Sequence, residues 1–118
     1  MKTFLCYPKC TTCQKARKWL DEKDVKYNFR DIKLENPNAE ELSAWLKKSG
    51  LPIKKFFNTS GLLYKELNIK DKVNTLTEKE LLDILATNGM LVKRPLLIGK
   101  DFVLVGFKEE EWLKTIQK

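Results

Sequence analysis

No histidine occurs among the 118 residues. That absence removes Ser-His and Cys-His nucleophile pairs, so any activated thiol must rely on a helix N-terminus and nearby cations. Long apolar runs are missing too, since none approaches the ~18 residues that span a bilayer. The opening residues Met1 to Cys6 hold no long apolar stretch and no small-residue cleavage site, so a secretory signal is not expected. A cytoplasmic protein without a membrane role is the expectation. Glycine and proline are few, at five and four, which excludes fibrous and low-complexity classes. Cysteine is scarce: Cys6, Cys10 and Cys13 form an odd cluster at one end, not a secreted disulfide framework. With no histidine and no second CxxC, no metal site is expected.

What is present suits one domain over residues 1–118, with 42% hydrophobic residues to build a core without staples. The net charge of +7 reads first as a solvated lysine-rich surface, and it also suits acidic partners or oxyanion substrates. Aromatic residues fall at periodic, core-like positions rather than within a basic patch, so direct nucleic-acid binding is not expected.

Residues Thr3 to Tyr7 read as a strand, broken by Pro8-Lys9. Thr11 to about Lys23 is helical, with Cys13, Ala16 and Leu20 on one face and Trp19 beside them. Val25 to Ile32 reads as a second strand, with Tyr27 and Phe29 alternating against Asn28 and Arg30. This βαβ opening favours parallel, right-handed pairing. Asn38 with Glu41 starts a capped helix carrying Leu42, Trp45 and Leu46, and Gly50 ends it. Pro52 to Phe57 and Leu62 to Leu67 read as further short helices. Thr77 with Glu80 caps another, closed by Asn88-Gly89. Leu96 to Ile98, a Gly99-Lys100-Asp101 turn and Phe102 to Val105 make a hairpin. Glu109 to Gln117 is a closing amphipathic helix with Trp112, Leu113 and Ile116 inside. The order βαβ, helices, ββα predicts an α/β fold. Its mixed four-stranded sheet carries a helical insertion over about residues 38–88.

Cys10-Thr11-Thr12-Cys13 falls between a predicted strand and a predicted helix, the setting of a redox CxxC motif. Unpaired N–H groups at a helix start place partial positive charge beside the first sulfur. The second cysteine lies on the apolar helix face, within reach for a disulfide. Cys10 is therefore the candidate nucleophile and Cys13 the resolving thiol. Cys6, inside a strand, reads as a small hydrophobe. Late in the chain, Arg94-Pro95 starts a strand, a place where proline is allowed. Arg94 could hold an anion beside Cys10 through its donor fork, and reads equally as a surface residue before a turn proline.

The stretch from Tyr7 to Ala16, together with Lys93-Arg94-Pro95, resembles the arsenate reductase and Spx family. The likeness extends through Phe56 to Gly61 and Tyr64 to Asn68. It implies a thioredoxin-like (glutaredoxin-like) fold and a cis Arg94-Pro95 bond. In the glutaredoxin-linked reductases, a cysteine matching Cys10 attacks arsenate and an arginine matching Arg94 helps bind it. Two further arginines of those enzymes fall at about Asn58 and Gly106 here. Asn58, Thr59 and the lysines Lys54, Lys55 and Lys108 are the substitutes available. Catalytic Cys10, Cys13 and Arg94, with Thr11, Thr12, Asn58 and Pro95 around the substrate or anion, make up the expected site.

The resemblance implies a thiol-based oxidoreductase acting on a small oxyanion or a thiol/disulfide substrate. It implies no bound cofactor, with glutathione/glutaredoxin or thioredoxin as external electron donor. The Spx side of the family implies an alternative: a redox-sensing transcriptional regulator that binds the RNA polymerase α subunit.

Overall fold

Strand β1 (Lys2–Cys6) lies inside the sheet, and its alternation sets the two cores. Phe4 and Cys6 project to one face and Leu5 to the other, as the period-2 pleat requires. The computed structural model describes residues 2–116. Chain order then gives α1 (Thr11–Glu22), β2 (Tyr27–Asp31), α2 (Ala39–Ser49), α3 (Leu62–Glu66), α4 (Ile69–Thr75) and α5 (Glu78–Leu85). The hairpin β3 (Leu96–Ile98) and β4 (Val103–Val105) and helix α6 (Glu109–Ile116) follow. Short 3-10 turns cover Ile53–Phe56 and Gly89–Leu91.

The sheet order is β2-β1-β3-β4. β1 runs parallel to β2, with Phe4 opposite Phe29, and antiparallel to β3, with Phe4 opposite Leu97. β3 and β4 close the antiparallel hairpin. This is the mixed, thioredoxin-like sheet that the resemblance implied. On one face α1 and α6 cover Phe4, Leu97 and Leu104 through Ala16, Leu20 and Trp112. The indole N–H of Trp112 is buried and donates to the Gly106 carbonyl at 2.9 Å, which ties α6 to the end of β4. On the other face the elements between residues 38 and 88 pack on Leu5, Leu96 and Val103. Leu42, Leu46, Ile69, Leu81 and Leu85 fill that side. No helix among the described residues is long and apolar enough to cross a membrane.

Both expected capping boxes are present. Asn38 Oδ1 accepts the Glu41 N–H at 2.8 Å and Thr77 Oγ1 accepts the Glu80 N–H at 3.2 Å, while each glutamate reaches back to its cap. Three details differ from the sequence expectation. Helix α4 was not foreseen, and it begins just after Asn68, which is left-handed (φ 54°) and offers no side-chain cap. Asn88-Gly89 does not close α5, which ends at Leu85; Asn88 instead caps the next turn by accepting the Met90 N–H at 2.8 Å. Gly89 is needed there for another reason, because a Cβ on it would stand 1.7 Å from the Ile32 carbonyl oxygen. On β2 the alternation fails: Phe29 is exposed beneath the Arg17 guanidinium, while Arg30 turns inward to Glu41. Gln117, the expected end of the last helix, lies outside the described residues.

Candidate active site

The chain leaves β1 at Cys6 and reverses through Tyr7-Pro8-Lys9 into α1. Cys10 N–H donates to the Tyr7 carbonyl at 2.9 Å and closes this turn, and Gln14 Nε2 donates to the Pro8 carbonyl at 2.9 Å. Cys10 is itself the N-cap residue of α1, in extended conformation, with no side chain capping the helix. No acidic residue occupies the first turn. The opening N–H groups of α1 therefore present their partial positive charge at the half-buried Cys10.

Cys13 is fully buried and Cys6 is 2% exposed, and all three thiols are free. The Tyr7 N–H points at the Cys13 sulfur from 3.4 Å. Cys6 shares the buried cluster of Cys13, and Cys10 packs against that cluster. The neighbouring Cys6 thiol, and after it burial, push the Cys13 thiol far above its ordinary range. Cys13 is thus a protonated thiol at neutral pH, suited to react second rather than first. Among the described residues no three histidine, cysteine, aspartate or glutamate side chains gather as a metal-binding group.

Thr12 of the thiol loop, but neither Cys10 nor Cys13, borders a cleft of about 670 Å³ that Lys54, Lys55, Lys93, Arg94 and Lys108 also line. Its cations come from three separate segments. Glu111 is the one carboxylate on its border. The ion pairs among the described residues are Arg30 with Glu41 and Lys79 with Asp83, so none of the five cleft cations is paired. Arg94 Nη1 donates to the Met90 carbonyl at 3.3 Å, and its guanidinium carbon sits 5.6 Å from the centre of the Tyr7 ring. Its Nε is buried and has no hydrogen-bond partner among the described residues. A buried donor of this kind costs free energy until something accepts from it. The Arg94-Pro95 bond is cis, and the Pro95 carbonyl accepts the Gly106 N–H at 2.9 Å.

Thr12 and Arg94 thus border one cleft, with Pro95 directly behind Arg94. Thr11 opens α1 and is exposed, outside the cleft border. Asn58 is not on that border, although its neighbours Phe57 and Thr59 are. Its N–H donates to the Leu91 carbonyl at 2.7 Å and its Oδ1 accepts from Ser60 at 3.4 Å, which turns the side chain into its own loop. Gly106 has φ 73°, a conformation that a side chain disfavours, and Lys93 Cε lies 3.3 Å from where its Cβ would be. Lys93 and the Tyr7 ring and amide were given no role from sequence beyond the family likeness, and Cys6 was read as a small hydrophobe. For Cys6 a signal existed, because it shares the strand face of Phe4.

The model of the ArsC family matches residues 5–115. Among curated proteins, the chain is 52% identical over 110 residues to the uncharacterized protein YusI of Bacillus subtilis, covering 93% of each chain. It is 33% identical over 111 residues to the global transcriptional regulator Spx of Enterococcus faecalis, covering 94% of this chain and 83% of the regulator. Among solved structures, an ArsC family related protein from Bacteroides fragilis is 59% identical, with a TM-score of 0.93 over 96% of this chain and 95% of that one. A possible arsenate reductase from Streptococcus mutans is 43% identical, with a TM-score of 0.87 over 95% of this chain and 97% of that one.

Proposed function

The chain belongs to the ArsC family, and on that premise we propose that it is a thiol-based oxidoreductase in which Cys10 attacks and Cys13 resolves. One observation carries this reading. A half-buried cysteine forms the uncapped start of α1, two residues before Thr12 on the border of an unpaired cationic cleft, with a fully buried thiol one turn further on. The cleft supports an anionic substrate, either a small oxyanion or a disulfide carrying carboxylates. Arg94 Nε is the donor that such a group would satisfy. Lysines 54, 55, 93 and 108 supply the field around it.

With a disulfide substrate, the Cys10 sulfur attacks one sulfur and the other leaves as a thiolate. Cys13 then gives up its proton and attacks Cys10. The second substrate thiolate departs and the Cys10–Cys13 disulfide forms. With arsenate, Cys10 displaces an arsenic-bound oxygen as water. Attack by Cys13 on Cys10 returns two electrons to arsenic and releases arsenite. Glutathione with glutaredoxin, or thioredoxin, reduces the internal disulfide from outside, and no bound cofactor enters the cycle.

The test is NADPH consumption by the purified protein with arsenate and with a carboxylated disulfide, in separate reactions coupled through glutathione/glutaredoxin and through thioredoxin. The Cys10→Ser variant runs beside it. Turnover that disappears in the variant is the expected result. Equal rates in the two proteins overturn the nucleophile assignment. A second reading follows from the transcriptional regulators among the relatives. In it the same thiol pair biases a surface that binds the RNA polymerase α subunit. Capture of that subunit by one redox form and not the other supports it; no capture by either form removes it.

A further inference from the structure

Cys6 has no part in the two-thiol cycle, yet it is the residue built against the resolving thiol. Strand β1 turns Phe4 and Cys6 toward the face where α1 places Cys13, Ala16 and Leu20. The peptide that follows Cys6 donates its N–H to the Cys13 sulfur at 3.4 Å. Cys6 and Cys13 belong to the same buried cluster, and Cys10 packs against it. Cys13 thus lies between the buried strand that carries Cys6 and the open loop that carries Cys10. Both Cys6 and Cys13 are shut away from solvent, so no external thiol competes easily for Cys6.

We propose that Cys6 is a third redox thiol, which takes the disulfide from Cys10 and holds it as a buried Cys6–Cys13 bond. This rests on the Cys10–Cys13 disulfide of the proposed cycle. In the exchange, the Cys6 sulfur attacks Cys13. The Cys10–Cys13 bond breaks as the Cys6–Cys13 bond forms, and Cys10 departs with the bonding pair. The Cys6 proton passes to Cys10. One disulfide and one thiol stand on each side, so no further oxidant or reductant is needed. The consequence is a nucleophile restored while the chain still stores its two oxidising equivalents. The new bond closes the two sulfurs to ~2.05 Å, and the amide that follows Cys6 already stands 3.4 Å from the Cys13 sulfur.

The sequence makes the exchange directly readable. Trypsin cleaves after Lys2, Lys9 and Lys15, so Cys6 falls on one peptide while Cys10 and Cys13 share the next. A Cys10–Cys13 bond stays within one peptide, whereas a bond to Cys6 joins two. The folded full chain, its Cys10→Ser variant and its Cys13→Ser variant are oxidised with one equivalent of diamide. They are quenched in acid, alkylated under denaturing conditions, digested and weighed. The expected result is a joined peptide pair in the wild type and in Cys10→Ser, and none in Cys13→Ser. The oxidised wild type should also retain an alkylatable Cys10. Cys6→Ala, oxidised in the same way, should lose it, because its disulfide then stays on Cys10. Free Cys6 and Cys13 in oxidised Cys10→Ser, where the wild type forms Cys10–Cys13, overturn the proposal and leave the two-thiol cycle standing. If the wild type makes no Cys10–Cys13 bond while Cys10→Ser joins Cys6 to Cys13, the cycle fails and the buried redox pair stands.

Discussion

The amide of Tyr7 and the sulfur of Cys13 face each other at 3.4 Å, so the turn that presents the nucleophile also grips the resolving thiol. Cys13 is nevertheless held protonated, by the neighbouring Cys6 thiol and by burial. Its thiolate is scarce at neutral pH, and its fraction grows about tenfold per pH unit while the pH stays below its pKa. The resolving step should therefore quicken steadily with pH. A mixed disulfide preformed at Cys10 with a chromogenic thiol, followed by stopped flow, should release that thiol faster at every step from about pH 6 to about pH 9. In Cys13→Ala the release should stop and the adduct should persist by mass. A release rate flat across the range would mean that Cys13 is not the attacking group.

Arg94 separates binding from attack. Its Nε is a buried donor with no partner, and its Nη1 is spent on the Met90 carbonyl. A hydrogen bond from this donor to a charged acceptor is worth about 1.5–3 kcal/mol, or roughly 10–100-fold in affinity. Arg94→Lys keeps the charge and loses the fork, so KM for an anionic substrate should rise by about that factor. Alkylation of Cys10 by uncharged iodoacetamide should change little. A loss confined to iodoacetamide reactivity would place Arg94 with the thiol rather than with the substrate.

The local features were the legible ones. Both capping boxes and the buried faces of α1 and α2 could be read because each lies within a few turns of chain. The Cys10 and Cys13 spacing is local in the same way. Helix α4 could not be read: its first residue follows a left-handed Asn68 without a side-chain cap, and Ile69 is its one buried residue. Phe29 looked like core and is exposed, because β2 is the edge strand and Arg30 spends its inward position on an ion pair. The cleft is non-local, since Lys54, Lys93 and Lys108 lie on separate segments that meet only in the folded chain. Asn58 matches the position of a cation in family order, but its loop hydrogen bonds turn it elsewhere, and no spacing rule reports that.

Gly89 gives a stability prediction with a geometric cause. Its missing Cβ would stand 1.7 Å from the Ile32 carbonyl oxygen, and both partners are backbone. A flexible side chain cannot relieve the clash, so the 3-10 turn or the end of β2 must move. Gly89→Ala should cost about 3 kcal/mol, which lowers Tm by roughly 10 °C in a domain of this size. Thermal unfolding followed by circular dichroism measures it. A shift below about 2 °C would show that this turn moves freely.

The Arg30–Glu41 pair predicts a pH dependence that can be isolated from helix capping. Arg30 donates to both carboxylate oxygens, at 2.6 and 2.9 Å, and with the Asn38 amide it holds the Glu41 carboxyl below the usual carboxylate range. A lowered folded pKa means that the unfolded chain binds the proton first as pH falls. The stabilisation is therefore complete above about pH 4.3, the unfolded value, and fades as pH drops through the folded value. The two side chains are 21% and 33% exposed, so solvent screens the pair, and about 1 kcal/mol is the reasonable magnitude. Glutamine at position 41 can still complete the capping box with Asn38, so Glu41→Gln removes the charge and spares the cap. At about pH 7 its urea midpoint should fall below the wild type by the equivalent of about 1 kcal/mol, and the two curves should converge near pH 3. A gap of equal size at both pH values would assign the effect to packing of the Arg30 guanidinium, whose carbon lies 5.9 Å from the centre of the Trp45 ring, rather than to the ion pair.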